Sequence, residues 1–126
     1  MKTLITVSTI LLALVISFSS VISCTQSEKD KKIAEHLQAL QSDNLLVRKD
    51  ATRALGKMGK DAVPALIKAL ADEDVEVRGA ATTALWVIGE DAKEALPTLR
   101  ILASNDPREE VKTAAKEAIR KIEEGK

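Results

Sequence analysis

Cysteine, histidine and aromatic residues are nearly absent from this chain of 126 residues, and each absence removes a class of function. A single cysteine, Cys24, rules out an intrachain disulfide and any zinc site built on several thiolates, so stability has to come from packing. A single histidine, His36, rules out the paired histidines of most transition-metal centres. There is no tyrosine, and after Phe18 the only aromatic residue is Trp86. A charge bias is missing too: 19 Lys and Arg balance 19 Asp and Glu, so no strongly basic surface announces nucleic acid. No Ser/His/Asp or Cys/His constellation, Gly-rich phosphate loop or acidic metal cluster appears. The expectation is a protein without catalysis, metal or cofactor.

What is present begins with a leader. Lys2 gives a short basic start, Leu4 to Ile22 is an uncharged apolar run, and residues 1–23 therefore read as an export signal. The run ends in Val21, Ile22, Ser23 and Cys24, which resembles the lipobox of bacterial lipoproteins. That resemblance implies cleavage before Cys24 and lipidation of its sulfur and new amino terminus. The alternative is an uncleaved span, for which the run is just long enough. Thr25 in place of Asp resembles enteric-type lipoproteins without an inner-membrane retention signal, implying an exported, envelope-anchored protein, outer membrane if the host is Gram-negative. Residues 24–29 then hold the lipidated Cys and a short polar tether, whose five residues Thr25 to Lys29 reach no more than about 18 Å when extended, and residues 30–126 form the domain.

The domain repeats itself. VRKDATRALGKMG, Val47 to Gly59, returns thirty residues later as VRGAATTALWVIG, Val77 to Gly89, with seven of thirteen positions identical. A degraded third copy carries Val111, Ala115, Ala118, Ile119 and Ile122. In each copy the apolar residues recur at helical spacing, as at Val47, Ala51, Ala54, Leu55 and Met58. Ser42, Asp43, Asp72 and Asp106 are placed to cap these helices, with Pro107 at N1 of the last, and Gly59 and Gly89 to close the first two. Shorter helices follow each phrase, with Pro64 inside the first turn of one and Pro97 restarting the other after a separate turn. No run alternates with period two. The pattern predicts an all-α fold, a short right-handed α-solenoid of antiparallel helix pairs, about two full repeats with a half-repeat at each end.

The succession Asp, Val-Arg, Ala, Ala-Leu, Gly, then Pro-x-Leu resembles the short HEAT-like repeats of the phycobilisome-lyase type over nearly the whole domain. Membership implies an armadillo-type solenoid whose second helices line a concave surface that holds another protein or peptide. It also implies a ladder of Arg and Asp between adjacent repeats: Asp43, Arg48, Asp72, Arg78 and Asp106, with Lys112 as a weaker last rung. HEAT-repeat hydroxylases of the deoxyhypusine type hold iron on several His-Glu pairs. Here Glu35 precedes the lone His36, which excludes such a site.

Two surfaces are candidate partner sites. On the middle phrase helix Trp86 points about 155° from the core stripe and shares its outer face with Gly79, Thr82 and Thr83, an uncharged strip between charged neighbours. The competing reading folds the indole over an adjacent helix or a lysine stem. The second surface is the concave one, where Glu35, Gln38, Pro64, Lys68, Pro97 and Ile101 are expected to project. The functional expectation is a membrane-tethered protein-binding or scaffolding module of the cell envelope. The alternative is an accessory subunit of a bilin-lyase-like or other HEAT-repeat enzyme.

Overall fold

A computed structural model describes residues 24–125, and the chain divides into two units, Met1–Lys32 and Ile33–Lys126. The export signal and the lipobox residues before Cys24 lie outside the described residues. In the first unit residues 24–32 are helical with every side chain exposed, and Gln26 Nε2 donates to Asp30 Oδ1 one turn on at 3.2 Å. The polar tether is thus helical, and its five residues Thr25 to Lys29 span about 8 Å. None of the helices among the described residues is long and apolar enough to cross a membrane.

The second unit is all helix, with no strand among its described residues. α1 (residues 33–39) precedes α2 (Leu45–Met58), α3 (Val63–Ala69), α4 (Val75–Ile88), α5 (Leu96–Asn105) and α6 (Glu109–Glu124). The three phrases are α2, α4 and α6, which pack side by side in that order, while α3 and α5 pack back onto α4 and α6. Two layers result, with a short solenoid's connectivity.

Phrase and loop chemistry explain why these segments are helices and where they stop. Each phrase helix is preceded by the same turn: Ser42 Oγ accepts from the Asn44 N–H, Asp72 Oδ1 from Asp74, and Asp106 Oδ1 from Arg108. The N-caps are therefore one or two residues later than the sequence suggests. Asn44 and Asp74 accept from the N–H groups of Leu46 and Glu76 at 2.9 Å, satisfying donors that a helix start leaves orphaned. Pro107 lies before α6, whose N-cap is Arg108 with no side-chain cap bond.

At the other end Gly59 and Gly89 take φ of 62° and 68°, a region that side-chain-bearing residues avoid, and turn the chain into 3₁₀ segments, Gly59–Ala62 and Gly89–Ala95. Pro64 and Pro97 follow within the first turn of α3 and α5, where a missing N–H leaves no hydrogen bond broken.

The core is aliphatic and small. Leu40, Leu55, Leu66, Leu70, Leu85, Leu99 and Ile122 are fully enclosed, and Ala51, Ala81, Ala84, Ala115 and Ala118 let the phrase helices approach. Val47 departs from the expected stripe: it is 41% exposed, whereas its equivalents Val77 and Val111 are 2% and 3% exposed. The cause is position in the array, because α2 is the first phrase helix and has no phrase helix before it. Leu45 and Leu46 beside it are exposed for the same reason.

Candidate functional site: a groove across the phrase helices

The two arginines of the phrase are clamps before they are anything else. Arg78 Nη1 donates to the carbonyls of Asp72 and Glu73 at 2.9 Å, holding the loop of its own repeat. Its Nε and Nη2 then reach both carboxylate oxygens of Asp106 in the next repeat, at 2.7 and 3.2 Å. The two side chains are only 11% and 2% exposed, so this fork-on-fork pair is shielded from water. The hydrogen bond from Arg78 holds the Asp106 carboxyl below the usual carboxylate range. The Arg108 N–H adds to the effect against the opposing pull of burial. The bond to Asp106 reciprocally raises the guanidinium of Arg78.

The remaining ladder positions differ from expectation. Arg48 donates to the Ser42 carbonyl at 2.7 Å, and its other arm reaches Glu76 at 3.1 Å, not Asp72, whose carboxylate is engaged with the Asp74 N–H. Glu76 is 58% exposed, which makes this rung a surface pair. Asp43 is exposed, and the position equivalent to Asp72 is filled by Ser42. Lys112 pairs at 2.8 Å with Glu109 on its own helix.

The outer strip of α4 is narrower than a helical wheel implies. Thr82 is fully buried and donates to the Arg78 carbonyl, because α2, α3 and α6 all pack on α4 and cover a wide arc. Thr83 is exposed, donates to the Gly79 carbonyl, and shares the accessible face with Gly79 and Trp86. Trp86 is 44% exposed, with Lys121 Nζ 5.8 Å from its ring centroid. The contact follows from the repeat. Gly56 and Trp86 occupy one phrase position, Val87 and Lys121 the next one along, and each member of the second pair covers a member of the first across the helix interface. A Cβ on Gly56 would lie 2.6 Å from Val87 Cγ1, so glycine there is a packing requirement. At the next interface the indole and the lysine stem fill the corresponding place.

A recess of this unit lies over the phrase helices. A groove of about 540 Å³ has one wall on α2, formed by Leu45, Arg48, Lys49, Thr52 and Arg53. Its floor is α4, with Val75, Glu76, Gly79, Ala80, Thr83 and Val87, and its far wall is α6, with Glu110, Val111 and Ala114. A smaller recess continues past Thr83 to Trp86 and Glu117. Glu35, Gln38, Pro64, Lys68, Pro97 and Ile101 are all exposed, but none of them lines this groove.

Chemically the groove floor is small and apolar apart from Glu76, which pairs with Arg48, leaving Lys49 and Arg53 as the cations of the α2 wall and Glu110 as the anion of the α6 wall. Lys49 and Arg53 were visible in the sequence as charges around α2. Their convergence with Glu110 across α4 was not, since it depends on the lateral stacking of three helices. Among the described residues no group of three or more His, Cys, Asp and Glu is arranged to hold a metal ion. Cys24 is an exposed free thiol.

No curated protein matches the chain. A family model of HEAT repeats matches residues 33–120, spanning α1 to all but the last turn of α6. Repeats of this kind generally mediate protein–protein interaction. With the phrase helices, their Gly-terminated ends and the Arg clamps in place over that whole stretch, the chain belongs to the HEAT-repeat family.

Proposed function

We propose that this chain is a protein-binding module, tethered to a bacterial envelope membrane through a lipid on Cys24, which holds a segment of another protein in the groove over α2, α4 and α6. The observation that carries the binding reading is Gly79. A glycine in a helix interior costs about 1 kcal/mol relative to alanine. Here a Cβ would meet nothing within 4 Å, so no packing among the described residues requires the glycine. What it does is leave the groove floor bare, and a bare helix backbone is useful to something that approaches from outside. The tether rests on the signal-like leader and the lipobox-like Val21 to Cys24. No catalytic constellation accompanies the groove, so the module acts by holding and not by chemistry.

A photo-reactive amino acid at Thr83 tests the binding reading in intact cells. A discrete adduct from Thr83 and none from Ile101, with the partner identified by mass spectrometry, is the expected outcome. Adducts from Ile101 alone would refute it. For the tether, Cys24→Ser should move the chain from the membrane fraction to the soluble fraction, and an unchanged integral association would overturn the lipid anchor.

A further inference from the structure

The charges on the two groove walls have opposite sign, and that specifies the occupant more closely than the groove alone does. Resting on the protein-binding reading above, we infer that the partner segment is an amphipathic helix with small apolar residues on its docking face. It carries carboxylates along the edge that meets Lys49 and Arg53, and basic side chains along the edge that meets Glu110.

The dimensions favour a helix. Packed helices lie about 8–10 Å apart axis to axis, so the axes of α2 and α6 stand about 18 Å from each other across α4. A helix about 10 Å in diameter rests in the furrow above α4, on Gly79, Ala80 and Thr83, where the lack of bulky side chains permits close approach. From Val75 to Val87 the floor runs about 18 Å, three turns of an occupant.

Charge then selects among helices. Lys49 and Arg53 are one turn apart on α2, both exposed, and the Arg53 pair with Asp50 is a long surface contact at 3.4 Å. Opposite them Glu110 is exposed, and Glu117 lines the continuing recess. A phosphate backbone would be repelled by the α6 wall, so nucleic acid does not fit. A uniformly acidic or uniformly basic peptide would satisfy one wall and oppose the other. A helix with one acidic and one basic edge satisfies both, and because reversing its direction exchanges its edges, it always has one matching orientation.

Three synthetic helices with the same Ala/Leu docking stripe provide the test: one with Glu on one edge and Lys on the other, one with Glu on both, one with Lys on both. With the wild-type chain, fluorescence anisotropy should show the mixed-edge peptide binding about tenfold tighter than either other, a preference that shrinks in about 0.5 M salt. In the Lys49→Glu/Arg53→Glu variant both walls are acidic, and the all-Lys peptide should become the tightest. Gly79→Leu should abolish the binding of all three while leaving the circular dichroism spectrum unchanged. Equal binding of the three peptides would overturn the charge assignment and leave the groove reading intact. Absence of binding by all three would overturn the helical occupant, while the Thr83 cross-link decides the groove reading separately. Binding that survives Gly79→Leu would place the peptides elsewhere and overturn both.

Discussion

Removing the carboxylate of Asp106 should be far more damaging than removing that of Glu76, although both serve an arginine of the same phrase. Asp106 lies 2% exposed and accepts three hydrogen bonds, two from Arg78 and one from the Arg108 N–H. In Asp106→Ala the Nε and Nη2 of Arg78 lose their acceptors in a place water reaches poorly, while Nη1 keeps the carbonyls of Asp72 and Glu73. Breaking one partner out of a buried pair costs about 3–5 kcal/mol, and the retained carbonyl bonds put this case near the lower end, at about 3 kcal/mol. For a domain of roughly 100 residues that corresponds to a fall in Tm of about 12–24 °C. Glu76→Ala removes an exposed partner from Arg48 and should cost less than about 1 kcal/mol. Urea unfolding followed by far-ultraviolet circular dichroism measures both differences on one scale. The double variant Arg78→Met/Asp106→Leu should recover part of the loss, since no uncompensated charge is left buried. Equal costs for the two single variants, or a cost for Asp106→Ala below about 1 kcal/mol, would refute the claim that the second rung locks the repeats together.

The same carboxylate sets an acid limit. Its folded pKa is depressed by Arg78, so its contribution is present at neutral pH, above the unfolded value near 4, and is lost as pH falls through the folded value. The stability gap between wild type and Asp106→Asn in urea titrations should therefore narrow steadily below about pH 4, and a gap independent of pH would contradict the assignment. Gly56→Ala, which improves helix propensity, should nevertheless destabilise by about 1–3 kcal/mol because its methyl meets Val87, and adding Val87→Ala should restore stability. A stabilised single variant by thermal melt would sink that reasoning. Trp86→Ala and Lys121→Ala should each cost about 0.5–1 kcal/mol and be non-additive, and Lys121→Ala should shift the indole emission to longer wavelength as its cover is removed. Additive effects in the thermal melts, with no emission shift, would mean that the two side chains do not act together.

How far the sequence was legible varied with how local each feature is. The phrase helices, the glycines that end them and the prolines that start α3 and α5 follow from spacing and backbone chemistry, which neighbouring residues determine. Val47 and Thr82 depart from the helical-wheel expectation because burial in a stacked array depends on how many neighbours a helix has. A wheel drawn for one helix cannot register that α2 lacks a phrase helix before it while α4 is covered on several sides. The ladder was legible in its arginines and less so in its acids. Copying the register from Asp72 to Asp43 hid the equivalent Ser42, and Glu76 reached Arg48 from a position that the repeat alone did not mark. Gly56 beside Trp86 first reads as a difference between copies. Its cause, Val87 pressing on one position and Lys121 covering the other, lies on the following helix in each case.

The groove over α2, α4 and α6 stands or falls on where a partner touches the chain. The most direct measurement is the dissociation constant of the partner identified from the Thr83 cross-link, compared among wild type, Gly79→Leu and Ile101→Asp. The groove account predicts a loss of at least about a hundredfold in Gly79→Leu and no change in Ile101→Asp. Undiminished affinity in Gly79→Leu with a loss in Ile101→Asp would contradict it and move the binding surface to the second helices.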